Sequence, residues 1–586
     1  WVFRIIRGGF RCLQENGFRY TFHRVLIHLH LAQDGISVRT PAPSNAKTIN
    51  NPVLELGCST SPHTPELIVS LTSFPGRINT VHKTINTILQ QTERPDRVIL
   101  WLAEEQFPNK NNDLPNELLN LQQHGLEICW CNDIRSYKKL IPTLRLYPEA
   151  VIVTADDDVY YSQNWLELLY QSYKKWPNFI HCHRDTKIYL EGNEFKTIPG
   201  GKEKYPCPTY LHKLVGIGGV LYPPHCLHPD VLNEHLFTTL APTNDDIWFW
   251  LMGVRVNTKI LVVDNNIPQP KYVEGTQEGG CLTKINDRGQ NLFWVDFHRV
   301  LSSFPEIEQK LYNEFKFVSQ YIEIYKEKAK NYEYYSALDP RRYAAALSVW
   351  YHYVTGDWLN LDKPITFNEK IQWLKLYDST PLKTRLADKY LVRDWVKEKI
   401  GDQYLIPLLG VWDKFDDIDF DKLPNSFVLK ANHGCSWNII VRDKSKFDIE
   451  DARKKFAVWM RMNFAFKFGL ELQYLNIPPK IIAEEYLENG NEDLYDYKVF
   501  CFNGKADSVM FLSERQKGLK MAFYDLNWNK LPFTYSFPRN EDDIPRPKNL
   551  DLLIQLSEKL AEGFACVRVD FYILNDGTLK FGEMTF

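Results

Sequence analysis

No stretch of this chain approaches the ~20 consecutive apolar residues that a membrane span requires, so nothing in it reads as a transmembrane helix. No CxxC pair occurs among its 11 cysteines. The nearest approach, Cys129-Trp130-Cys131, falls on a predicted strand and makes a poor chelator. No GxGxxG occurs either: Gly216-Ile217-Gly218-Gly219 lacks the spacing, which argues against a dinucleotide cofactor. Charge of one sign is also missing. Seventy Lys and Arg against 73 Asp and Glu leave a net charge of −3, so there is no general pull towards nucleic acid. No signal peptide is visible, and unpaired thiols fit a reducing compartment. The expectation is a cytoplasmic enzyme.

What the chain has is carboxylate clusters placed after strands. Asp156-Asp157-Asp158 follows the β-branched run Ala150–Thr154, which reads as a buried strand, and precedes Tyr160-Tyr161. Three carboxylates at one strand end repel each other unless something cationic sits among them. A hard divalent ion, Mn²⁺ or Mg²⁺, would relieve that repulsion and also hold a diphosphate; the alternative is a solvated acidic turn. Upstream, strands (Glu66–Leu71, Arg97–Leu102, Leu126–Trp130) alternate with helical patterns (Val81–Gln91, Leu114–His124, Tyr137–Tyr147). That alternation predicts an α/β fold with a parallel sheet, which binds ligands at the carboxyl ends of its strands. A second acidic group, Asn244-Asp245-Asp246, opens the apolar helical run Ile247–Met252. One of its carboxylates fits a general base, Asp246 slightly ahead of Asp245; capping the helix is the competing role. Gly216–Tyr222 offers backbone close enough to cradle a sugar, although strand glycines also mark bulges.

The run Ser70-Leu-Thr72-Ser-Phe-Pro-Gly-Arg77, then Asp133-Ile-Arg-Ser-Tyr-Lys138-Lys139, then Asp156 to Asp158 resembles a GT-A-fold glycosyltransferase of the family 2 kind. The resemblance implies a Rossmann-like domain binding a nucleotide-sugar donor, with a UDP-sugar expected. Asp156 and Asp158 would hold the metal, with Asp157 and Thr72 beside the donor. Asp133 would touch the base, and Arg77, Lys138 or Lys139 would lie near the phosphates. With Asp246 or Asp245 as base, transfer to a glycan or lipid-linked glycan would invert the anomeric centre.

The second half carries its own constellation. Ala387-Asp388-Lys389 reads as a helix start, and Phe427–Lys430 as a strand feeding the flexible loop Ala431–Asn438. Ile481–Leu487 reads as a strand with a polar end, and Asp496-Tyr-Lys498 opens another that runs to Phe502. Asn503-Gly504 and Asn575-Asp-Gly577 are hairpin signals, the second between Cys566–Tyr572 and Lys580–Glu583. Paired strands there would face Asp570 with Glu583, a carboxylate pair suited to Mg²⁺ on a nucleoside triphosphate. This order resembles an ATP-grasp enzyme, most of all the TupA-like branch associated with teichuronopeptide and capsular polysaccharide synthesis, across Asp339 to Phe586. By that resemblance the domain is α+β and Lys389 and Lys430 bind the ATP phosphates. Glu484, Glu485, Tyr486 and Leu487 form the adenine hinge, with Lys498 also at the ATP. Asp570 and Glu583 hold Mg²⁺, and Arg568 steadies the transferred phosphoryl or acyl-phosphate group.

The expected organisation is a basic, amphipathic segment and linker (1–65), a glycosyltransferase (66–303), a helical connector (304–338) and an ATP-grasp domain (339–586). Trp1–His30, with Arg4, Arg7, Arg11, Arg19 and Arg24, fits packing on another domain or a peripheral contact with an anionic membrane face. A chain starting at Trp1 and stopping two residues after Met584 reads as a trimmed piece with an incomplete ligase half; Thr585 stands where many relatives carry Asn. The expected function is bifunctional: sugar transfer, plus ATP-dependent amidation of a uronic acid by a small amine such as an amino acid or amino alcohol. The alternatives for the second half are a sugar phosphotransferase and an inactive carbohydrate-binding module.

Overall fold

The computed structural model describes residues 56–199, 205–264, 267, 269–277, 292–327, 332–487, 494–513, 519–534 and 538–586. The basic segment Trp1–His30 lies outside them. The described residues divide into two compact units, one ending at Glu323 and the other starting at Ile324. No described helix is long and apolar enough to cross a membrane.

The first unit is built on a seven-stranded sheet. Its first four strands are β1 (Leu67–Thr72), β2 (Arg97–Ala103), β3 (Leu126–Cys131) and β4 (Val151–Thr154). β1, β2 and β4 are apolar runs buried on both faces, the pattern of central parallel strands. β1 pairs parallel with both β2 and β4, and β2 with β3. The chain thus steps outward from β1 to β3 and returns on β1's other side at β4. Ligands of open α/β sheets bind where the strand order reverses, at the strands' carboxyl ends; here that point lies between Thr72 and Ala155. After the short β5 (Val159–Tyr160), the sheet extends through β6 (Ile180–Cys182). A hairpin of β7 (Asp185–Glu191) and β8 (Glu194–Pro199), joined by β9 (His212–Leu214), forms a separate three-stranded sheet. β10 (Val220–Tyr222) runs antiparallel between β4 and β6, and β11 (Ile260–Val262) completes the large sheet beside β6. β12 (Lys271–Tyr272) pairs with β5. The helix Val81–Leu89 packs Val81, Ile85, Ile88 and Leu89 onto this core. The expected second helix breaks into Asn116–Leu119 and a tighter 3₁₀ turn to His124, and the third begins with a 3₁₀ turn, Arg135–Lys139, before Ile141–Leu146.

The second unit holds two antiparallel sheets. One is ordered β13 (Leu408–Trp412), β16 (Ile481–Glu485), β14 (Phe427–Ala431), β15 (Asn438–Val441). The other is ordered β19 (Lys520–Tyr524), β18 (Lys505–Ser513), β17 (Tyr495–Phe502), β20 (Cys566–Ile573), β21 (Leu579–Thr585). Asn503 (φ 50°) and Gly504 (φ 76°) join β17 to β18 with both dihedrals positive, the two-residue turn whose twist matches the strands it connects. The helix Leu550–Ala561 lays Leu550, Leu553, Leu556 and Leu560 on β17 and β20. Lys389 does not start a helix. The helix Pro381–Ala387 ends just before it, because the Asp388 carboxylate accepts the Tyr390 and Leu391 N–H groups and so makes a turn ahead of the helix Val392–Lys399.

Candidate active sites

In the first unit the acidic triplet lies beyond the carboxyl end of β4, as its sequence position requires, but its charges are already shared between two cations. Arg77 donates to Asp157 at 2.7 Å and stands 3.0 Å from Asp158. Ser73, just past β1, donates to Asp157 (2.6 Å), and Gln277 to Asp158 (2.7 Å). Asp156 turns the other way, towards Lys139 at 3.3 Å. The Lys139 ammonium is buried beneath carboxylates, 2.9 Å from Asp245 and 3.9 Å from Asp246. Burial alone would lower it, yet Asp156, Asp245 and Asp246 hold it well above its ordinary range. It links the triplet to the second acidic group instead of reaching outwards.

Asp245 and Asp246 are the first residues of the helix Asp245–Arg255. Neither serves as its N-cap: that position is Asn244, whose side chain binds Asp296 and leaves the helix end without a side-chain cap. Asp245 accepts from Ser136 (2.9 Å), and Asp246 accepts the Gly216 N–H (3.0 Å). A Cβ at Gly216 would fall 2.9 Å from both Asp246 Oδ1 and Lys139 Nζ, so glycine is what lets this loop approach the pair. The glycines form a 3₁₀ turn, Gly216–Gly218, ahead of β10. Burial raises the Asp246 carboxyl against the pull of Lys139, and raises Asp158 to about 6 against that of Arg77. Asp133 lies apart, held by Lys138 at 2.5 Å and by Gln106 at 2.8 Å. The Thr72 hydroxyl is spent on the Trp101 carbonyl (2.8 Å).

In the second unit, strand periodicity assembles the site. Asp496 and Lys498 share one face of β17, Arg568 and Asp570 the same face of β20, and Glu583 and Thr585 that of β21. Asp570 is registered opposite both Lys498 and Glu583, and Arg568 opposite Thr585. The Arg568 guanidinium grips Asp570 with two bonds (2.6 and 2.7 Å), reaches Glu583 at 3.3 Å and donates to Thr585 at 3.0 Å. Lys498 pairs with Asp570 and, at 2.9 Å, with Asp496. From the turn after the helix Pro381–Ala387, Lys389 stands 3.5 Å from Glu583 while donating to the Gly434 carbonyl (2.7 Å). Burial would raise the Glu583 carboxyl, but Lys389, Lys498, Arg568 and Lys430 bring it down to about 2. Lys430, on β14, pairs with Glu484 at 2.6 Å, and Arg393 takes the other Glu484 oxygen at 2.9 Å. Glu485 is exposed at the end of β16, with Tyr486 and Leu487 following it. Asp496, Arg393, Ser73, Ser136 and Gln277 are members of these arrays that the sequence alone did not single out.

Residues 369–586 match the TupA-like ATP-grasp family. The matched segment lies within the second unit and takes in Lys389, Lys430, Lys498, Arg568, Asp570 and Glu583. No curated protein matches the chain. Among solved structures, N5-carboxyaminoimidazole synthetase from Staphylococcus aureus with ADP is similar at 14% identity, over 34% of this chain and 44% of that one (TM-score 0.23). An L-amino acid ligase from Bacillus licheniformis is similar at 15%, over 35% and 44% (TM-score 0.24). D-alanyl-alanine synthetase A from Vibrio cholerae is similar at 12%, over 34% and 55% (TM-score 0.22). The match thus spans about half the length of these proteins or less, and likeness at that level fixes no substrate and no residue role.

The donor set at Asp570 and Glu583 fits Mg²⁺. Mg²⁺ is held by one or two carboxylates together with substrate phosphates, and Asp570 and Glu583, opposite each other on β20 and β21, are such an oxygen pair, with Arg568 and Lys498 now on the Asp570 oxygens. Among the described residues no group of three or more His, Cys, Asp or Glu side chains forms a protein-only metal cage.

Proposed function

We propose that the second unit is an ATP-dependent carboxylate–amine ligase. The observation that carries this is the registered pair Asp570 and Glu583, set among Arg568, Lys498 and Lys389 within the ATP-grasp segment. Lys389 and Lys430 bind the ATP phosphates, and Mg²⁺ on Asp570 and Glu583 would neutralise charge on the triphosphate. A carboxylate oxygen of the substrate attacks the γ-phosphorus and ADP leaves, giving an acyl phosphate. An amine nitrogen then attacks the acyl carbon, phosphate leaves with the electron pair of the broken C–O bond, and the proton lost from nitrogen passes to the departing phosphate. Arg568 offers fixed positive charge where both steps gather negative charge. A uronic acid is the proposed acid, and an amino acid or amino alcohol the proposed amine. The test is ADP release over many turnovers: it should require acid and amine together. Turnover with a sugar but no amine would replace ligation by phosphotransfer.

We also propose that the first unit is a glycosyltransferase, because Asp156, Lys139, Asp245, Asp246 and Gly216 meet beyond β4, next to the sheet's reversal point. Asp246 removes the proton of the acceptor hydroxyl as that hydroxyl oxygen attacks the anomeric carbon and the nucleoside diphosphate leaves with the electron pair of the broken C–O bond; Asp158 and Asp156 would hold the metal, and Asp133 meets the nucleotide. Mn²⁺-dependent hydrolysis or binding across UDP-, GDP- and CMP-sugars tests it; no response to any donor sinks the reading. Together the two activities fit cell-surface polysaccharide synthesis, with the sugar that is transferred also being amidated.

A further inference from the structure

Arg568 occupies the carboxylate pair proposed for Mg²⁺. It is 7% exposed, and Asp570 is 2% exposed. Its Nε donates to one Asp570 oxygen (2.6 Å) and its Nη2 to the other (2.7 Å), so the guanidinium fork covers the whole carboxylate. Nη2 also reaches Glu583 at 3.3 Å. All three bonds run to the two residues that would hold the metal. Arg568 cannot keep both Asp570 oxygens once Mg²⁺ is on the pair. A buried guanidinium stripped of its acceptors is costly, so it needs another anchor and a new anion.

Thr585 supplies the anchor. Its neutral hydroxyl accepts from Nη2 at 3.0 Å, outside the carboxylate pair. Arg568 and Thr585 are registered opposite each other on β20 and β21, where side chains of paired strands meet most closely. Met584 is buried in the core on the other face of β21, and Phe586 packs on Phe564 at 5.1 Å, so Thr585 is held facing the site. A β-branched side chain is stiff at χ1, which fixes where the hydroxyl sits. Lys498, the other cation on Asp570, is provided for in the same way: Asp496 holds it at 2.9 Å. Each cation on Asp570 thus has a second partner that can stay when the first is taken.

We propose that Thr585 is a positioning residue for Arg568. In the free protein Arg568 neutralises Asp570. With Mg²⁺–ATP bound, Arg568 gives up Asp570, pivots on the Thr585 hydroxyl and turns its freed N–H groups to the terminal phosphate. The exchange also regulates the site, because Arg568 is delivered to the transferred group only when metal and triphosphate arrive together. The proposal rests on the ATP-grasp reading of this unit.

Calorimetry on the full chain, with Mg²⁺ and either ADP or the β,γ-imido analogue of ATP, tests it. Thr585→Val keeps the shape of the side chain and removes the hydroxyl, whereas Thr585→Ser keeps the hydroxyl. The valine variant should bind the imido analogue about tenfold more weakly than the parent, the worth of one hydrogen bond to a charged group, with ADP affinity within about twofold. The serine variant should recover most of the loss. Equal affinity of parent and valine variant for the imido analogue overturns the proposal. So does an equal loss for both nucleotides, which would make Thr585 a metal ligand or a residue of the fold alone. Failure of the parent chain to bind either nucleotide removes the ATP-grasp reading itself, and the role of Thr585 with it. Phenylglyoxal modification of Arg568, read by mass spectrometry, needs no substitution. Arg568 should react several-fold faster in the Mg²⁺–ADP complex than in the free protein or with Mg²⁺ and the imido analogue; one rate in all three overturns the exchange.

Discussion

At the residue scale, both acidic arrays share one solution to charge. Neither leaves its carboxylates bare: Arg77 and Lys139 divide Asp156 to Asp158 between them, and Arg568 with Lys498 holds Asp570. An incoming cation must therefore compete with resident ammonium and guanidinium groups. Protonation gives a separate handle on the first array. Burial lifts Asp158 to about 6, so in the fold it loses its charge as pH falls through that value, whereas an ordinary carboxyl would stay ionised. Mn²⁺ binding in the presence of UDP, measured by calorimetry, should weaken below about pH 6; an affinity that is flat across that range would remove Asp158 from the cation site. The same shift makes Asp158 oppose folding as pH rises from the ordinary carboxylate range to about 6, since the folded form then holds the proton longer than the unfolded one. Glu583 has the opposite sign. Its surrounding cations keep it ionised down to about 2, so its contribution to stability is present above the ordinary glutamate range and fades as pH falls towards that value.

At the scale of elements, the strands were the most legible part, because β-branched runs bounded by turn residues permit little else. Asn503-Gly504 even specified its turn type. Replacing Gly504, at φ 76°, by Val should cost about 1–2 kcal/mol in chemical denaturation; ATP affinity should not change, since the turn lies at the far end of β17 from Asp496 and Lys498. Gly216→Ala should act in reverse. Its methyl would press on Asp246 and Lys139, so stability should fall modestly and sugar transfer heavily; a variant with full transfer activity would dissociate this loop from the site. The boundaries around Lys389 were misread because Asp388 competes for backbone donors that a continuing helix would have used. Arg393 could not be found at all: it meets Glu484 across 91 residues of sequence, and no local pattern encodes such a pairing. Asp496 was within reach, two residues before Lys498 on the same strand face. Ser73 likewise stands two residues past the predicted first strand, Glu66–Leu71, and directly after the observed β1.

At the scale of the whole molecule, the chain carries two units, each with its own sheets, and the ATP-grasp segment lies in only one. The division after Glu323 falls inside the helix Pro305–Glu327, within the stretch 304–338 that the composition set apart as a charged helical connector. Separate sites predict separable losses: Asp246→Asn should abolish sugar transfer and leave Mg²⁺–ATP affinity within about twofold, a difference under ~0.5 kcal/mol. The most direct measurement is Mg²⁺–ATP binding by calorimetry to the full chain and to its Glu583→Gln variant, with circular dichroism to check the fold. The expected result is Mg²⁺-dependent binding by the parent chain, weakened at least about tenfold in the folded variant, a loss of ~1.4 kcal/mol. Equal affinity in the two, or no ATP binding by the parent chain, would contradict the assignment of Asp570 and Glu583 to an ATP site.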